Sequence, residues 1–70
     1  MSRDRDEILA KILACIEGER EFVEIRDCLE NDGVFLDGLE LRKIIAELVR
    51  SGILCREVKR NRVLFYRCGT

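Results

Sequence analysis

The 70-residue sequence contains no histidine, proline, tryptophan or glutamine, and its aromatics are three Phe and one Tyr. Without histidine there is no side chain whose ordinary pKa suits general base work near neutrality. Cys and Ser therefore lack an imidazole to activate them, and nucleophilic catalysis is not expected. No glycine-rich loop of the phosphate-cradling kind is present either, so the chain does not read as an enzyme. No apolar run approaches the roughly 18 residues needed to cross a bilayer. The first residues, MSRDRDE, are charged and lead into a helical pattern, which is unlike a secretory signal. A cytosolic protein without a membrane partner is expected. The missing glutamine, set beside 39% charged residues, resembles the ion-rich, amide-poor composition of hyperthermophile proteins. Intracellular disulfides are commoner in such organisms.

What is present fits one small α+β domain. Hydrophobic residues make up 47% of the chain, enough for a packed core under a charged shell. A chain of this size buries only about 60% of its unfolded surface, so its stability is marginal unless something supplements the core. The net charge of −1 conceals a division. Residues 1–40 hold 5 Lys/Arg against 12 Asp/Glu, a net of −7, and residues 41–70 hold 8 against 2, a net of +6. A basic C-terminal half suggests a molecule that turns one end toward a polyanion.

The best-marked element is the stretch LDGLELRKIIAELVRSG, residues 36–52. Asp37 is placed as an N-cap, Glu40 as its capping-box partner, and Leu36 with Leu41 as a hydrophobic staple. Gly52 supplies the left-handed stop, just after Arg50 at the negative end of the helix dipole. Leu41, Ile44, Ile45 and Leu48 form one apolar stripe at helical spacing, which requires burial. Lys43, Ala46 and Arg50 fall opposite, with Arg42 and Glu47 on the flanks and Leu39 pointing outward.

Earlier in the chain, Asp4 and Glu7 mark the start of a first helix over about residues 5–17, with Gly18 as its stop. Its apolar arc of roughly 160° exceeds the stripe of about 100° that packing on a small core needs. The excess is expected to meet either a C-terminal strand of the same chain or a second copy of the protein, a homodimer through helix 1. Residues 19–22 read as a polar link. Phe22, Ile25, Cys28 and Leu29 recur at helical steps, giving a second helix over about residues 23–31 with an acidic outer face of Glu24, Asp27 and Glu30. Asn31-Asp32-Gly33 is a strong stop. After Gly52 the pattern becomes extended. Residues 53–68 read as a β-hairpin turning at Arg60-Asn61, with Ile53, Cys55, Leu64, Tyr66 and Cys68 on the face toward the helices.

Cys15, Cys28, Cys55 and Cys68 include no close pair such as C-x₂-C, and no histidine is available to complete a zinc site. All four fall at positions the pattern assigns to the core, where free Cys behaves as a small hydrophobe. That is the preferred reading. A Cys55–Cys68 disulfide across the hairpin comes second, and a thiol sensor is a smaller alternative.

Three helices followed by a basic ribbon, with Leu48-Val49-Arg50-Ser51-Gly52-Ile53-Leu54 at the junction and Tyr66 on the returning strand, resemble the small winged helix-turn-helix regulators of archaea and bacteria. The resemblance spans roughly residues 8–68. It implies that residues 37–51 are a recognition helix for the major groove and residues 59–62 the tip of a wing on the DNA backbone. On that basis Arg42, Lys43 and Arg50 would reach double-stranded DNA from the helix, and Lys59, Arg60 and Arg62 from the wing. Arg56 and Arg67 are secondary candidates. No cofactor is implied. Glu47 and Leu39 on the same face support a second reading: an interaction module that holds protein through this face or through the acidic helices.

Overall fold

The computed structural model describes residues 5–68. Its elements are α1 (Arg5–Cys15), β1 (Arg20–Glu21), α2 (Phe22–Asn31), α3 (Gly38–Arg50), β2 (Leu54–Lys59) and β3 (Arg62–Arg67). The fold is α+β: three helices against one antiparallel sheet of strand order β1-β3-β2. None of the described helices is long and apolar enough to cross a membrane.

Burial of the α3 stripe drives the assembly. Leu41, Ile44, Ile45 and Leu48 are all buried, and around them close Ile12 and Ile16 from the α1 segment, Ile25 and Leu29 from α2, Val34, and Leu54 and Phe65 from the sheet. At about 25 cal/mol per Å² of apolar surface, these eleven residues supply most of the folding drive. The broad apolar arc of α1 is largely absorbed within the chain, where Ile8, Leu9, Leu13 and Cys15 pack against the core from partly exposed positions.

Two helices stop by the same device. At the end of α3, Gly52 has φ +85°, its N–H donates to the Val49 carbonyl, and the Ile53 N–H reaches back to Leu48 at 3.0 Å. Gly33 (φ +82°) ends α2 likewise, with Val34 donating to Leu29 at 2.8 Å. These are Schellman motifs, which satisfy carbonyls that a helix end would leave unpaired. The N-terminus of α3 departs from expectation. Asp37 occupies the N-cap position and its carbonyl accepts from Leu41, but its side chain makes no capping bond. A capping box forms instead at α2, where Glu24 accepts from the Glu21 N–H at 2.8 Å. The Asp4 cap proposed for helix 1 lies outside the described residues.

Residues 19–22, expected as a polar link, contain a strand. Arg20 pairs with Phe65 and Glu21 with Leu64, so β1 covers the free edge of β3. Phe22 then opens α2 directly. A two-residue polar strand has no periodicity to detect; it exists because β3 presents unpaired backbone groups beside it.

The hairpin turns at Arg60-Asn61, with both residues at positive φ (50° and 66°), as a two-residue type I′ turn requires. The register pairs Lys59 with Arg62, Arg56 with Phe65 and Leu54 with Arg67. The buried face is the opposite of the one expected. Leu54 and Phe65 enter the core. Cys55, Leu64 and Tyr66 are only partly buried, and Ile53 is exposed. Apolar residues occur on both faces of this ribbon, so alternation alone does not choose between them. Ile53 belongs to the α3 terminator rather than to a strand, which makes Leu54 the first inward residue.

The cysteines are not free. Cys15 is bonded to Cys28, tying the end of α1 to the middle of α2, and Cys55 to Cys68, tying β2 to the residue after β3. The Cα separations are 5.9 and 5.3 Å, within the usual disulfide range. Cys55 sits diagonally across the ladder from Cys68, because the turn centres at Arg60-Asn61 and places Cys55 opposite Tyr66. Each bridge spans 13 residues of sequence.

Replacing Cys15 and Cys28 with Ala should lower the unfolding free energy by about 2–4 kcal/mol, as for other short disulfide loops. Urea denaturation of oxidised wild type and the double mutant would show it as a lower midpoint. Gly52→Ala should lower the unfolding free energy by about 1 kcal/mol, because alanine must then adopt a left-handed backbone although the space for its Cβ is open. The same denaturation curve measures it.

Candidate nucleic-acid interface

The outer face of α3 is exposed along its length, from Leu39 through Lys43 and Ala46 to Arg50. Lys43 and Arg50 lie on that face, exposed, and neither has an ion-pair partner among the described residues. Arg42 flanks it, with its guanidinium carbon 5.3 Å from the centre of the Phe22 ring. That cation–π contact is worth about 0.5–1 kcal/mol at an exposed site and fixes where the guanidinium points. Glu47 on the other flank is bound to Arg5 at 2.7 Å, so its charge is matched from α1. Leu39 is 62% and Phe35 75% exposed, which puts two large apolar groups at the N-terminal end of the same helix.

The hairpin cations divide. Arg60 stands at the tip, exposed and unpaired among the described residues. Lys59 and Arg62 are matched internally: Lys59 holds Glu19 at 2.9 Å and lies 3.8 Å from Glu57. Arg62 grips Glu21 with two nitrogens, Nε at 3.1 Å and Nη2 at 3.0 Å. These bonds hold the Glu21 carboxyl below its ordinary range and push Lys59 and Arg62 above theirs. The hairpin is thus less basic toward a partner than its sequence suggests. Arg67, a secondary candidate, donates to the Leu13 carbonyl at 2.6 Å. It supplies the positive end-charge that the last turn of α1 lacks. Arg56 is exposed on β2, opposite Phe65.

The residues that sequence reading missed here are Glu19, Glu21 and Phe22. A signal existed, since Glu19 and Glu21 are two apart and therefore share one face of any extended segment. Lys59 and Arg62 face each other across the turn and share one face as well. Joining the two pairs required knowing that β1 docks on β3.

The Glu21–Arg62 bond gives stability a defined pH dependence. The folded pKa of Glu21 is depressed, so its contribution is fully present above the unfolded value of about 4.3 and is lost as pH falls through the lower folded value. Thermal melts of wild type and Glu21→Gln between pH 7 and pH 3 should therefore differ near neutrality and converge at the acid end.

No known protein family, curated protein or solved structure matches this chain. What its surface can do follows from its geometry and charge.

Proposed function

We propose that this chain is a winged helix-turn-helix protein that binds double-stranded DNA, with α3 in the major groove, the β2–β3 hairpin as wing, and transcription regulation as its role. The observation that carries the reading is the outer face of α3, where Lys43 and Arg50 are exposed and unmatched by acid, on a helix followed directly by a ribbon whose tip is Arg60. Arginine can pair bidentately with guanine, and both residue types hold phosphates. The internal ion pairs move the emphasis within the expected set. Lys43, Arg50 and Arg60 are the primary contacts, with Arg42 on the flank. Lys59 and Arg62 would first have to leave Glu19 and Glu21.

Homodimerisation belongs to the same proposal, because a regulator of this size reads a longer site as a pair. Helix 1, with Ile8, Leu9 and Leu13 partly exposed, is the surface assigned to it. A cytosolic location belongs to the same proposal. Two disulfides fit it in a chain whose ion-rich composition resembles that of hyperthermophiles.

A protein-interaction module is favoured by a different observation, the exposed Phe35 and Leu39 beside that same face. Large apolar groups at the head of a helix suit a protein groove better than phosphate. The acidic face of α2 offers a second surface for such a partner.

Fluorescence anisotropy of labelled duplex DNA separates the two readings. Wild type should bind with an affinity that falls steeply with salt, and Lys43→Glu/Arg50→Glu should abolish binding at physiological salt. Arg60→Gln should weaken all sequences alike and reduce the log–log salt slope by about 1. No binding even at low salt, where non-specific contacts are strongest, would remove the DNA reading and leave the protein-partner one.

A further inference from the structure

A groove of about 480 Å³ opens between α3 and the sheet, bordering the helix face assigned to DNA and sharing Arg42 and Ala46 with it. Its floor is the buried Ile45 and Phe65, and Phe22 and Val49 form half-buried walls. Two charged residues line it, Arg42 from α3 and Arg56 from β2, and neither is paired with a carboxylate among the described residues. That sets them apart from Lys59 and Arg62 on the other face of the hairpin, both of which are matched.

Each of these arginines has an aromatic neighbour. The Arg42 guanidinium lies over Phe22, and Arg56 is the direct cross-strand neighbour of Phe65. A guanidinium stacked on a ring keeps its N–H edge free for a planar anion. An apolar slot with two unmatched guanidiniums is complementary to a flat apolar body that ends in a carboxylate. The volume falls within the range of small-molecule sites, about 300–1,000 Å³. We propose that this groove binds a small aromatic carboxylate, its ring between Phe22, Val49 and Phe65 and its carboxylate held by Arg42 and Arg56. The assignment goes beyond DNA binding and holds whether or not α3 enters a DNA groove.

The test is a titration of the ¹⁵N-labelled, disulfide-intact chain with 2-naphthoate, followed by amide chemical shifts, with 2-naphthamide as the neutral isostere. Saturable shifts centred on residues 22, 42–49, 56 and 63–65 are expected for the carboxylate. The amide should bind at least about tenfold more weakly, since charge-assisted pairing is lost. Arg42→Gln/Arg56→Gln should weaken 2-naphthoate by a similar factor while keeping the dispersed spectrum of the folded protein, because both side chains are exposed. Should that variant lose its dispersion, Ala46→Trp, which fills the groove from an exposed helix position, replaces it and should block binding. Shifts that do not saturate, that centre elsewhere, or that are equal for acid and amide would overturn the proposal.

Discussion

Burial of a single helical stripe is the constraint that the rest of this structure answers to. Leu41, Ile44, Ile45 and Leu48 must leave water together, and a chain of 70 residues has few other groups with which to cover them. The other two helices and the ribbon contribute one or two residues each to that purpose: Ile12 from α1, Ile25 and Leu29 from α2, Leu54 and Phe65 from the ribbon. Such a core is thin, and the chain reinforces it at its periphery. One disulfide ties α1 to α2, and the other ties β2 to the end of the hairpin. By constraining the unfolded chain, such bridges add stability that a core this small cannot supply alone.

The second reinforcement is ionic and concentrates on Glu21. This residue pairs with Leu64 in the sheet, takes part in the capping box of α2 and accepts bonds from two nitrogens of Arg62. Individually, exposed ion pairs are worth about 0–1 kcal/mol. Their joint effect is topological, since Glu19 and Glu21 hold Lys59 and Arg62 and so fasten the hairpin to the segment between α1 and α2. The charge division along the sequence, which suggests a basic end offered to a polyanion, is thus partly consumed inside the molecule. Among the described residues, Arg20 and Arg67 donate to backbone carbonyls, which leaves Arg42, Lys43, Arg50, Arg56 and Arg60 unmatched by acid, on or beside α3 and at the hairpin. They surround two different surfaces: the outer face of α3, proposed to meet DNA, and the groove between α3 and the sheet, proposed to take a small anion.

The fold class, three helices and a ribbon, was legible in the sequence because each element carries its own local signal. The α3 stripe repeats at helical spacing, Gly33 and Gly52 mark their stops, and Arg60-Asn61 tolerates the left-handed backbone that a two-residue hairpin turn demands. These signals rest on interactions between residues within a few positions of one another, which is why a linear reading recovers them. The exposed cations of α3 were legible for the same reason, being the residues opposite a strong apolar stripe.

What only the tertiary structure decided involves partners distant in sequence. Arg20 and Glu21 become a strand because the edge of β3, more than 40 residues away, offers them hydrogen bonds. The hairpin buries Leu54 and Phe65 rather than Cys55, Leu64 and Tyr66 because the α3 terminator fixes the angle at which the ribbon leaves, and either face is apolar enough to serve. Cys15 meets Cys28 through the packing of α1 on α2. Arg67 turns away from any partner to bind the Leu13 carbonyl. By itself the sequence determined where chain segments are helical or extended and which faces are greasy. Which greasy faces meet, which charges cancel and which thiols join depended on the packed chain, since those interactions act through space.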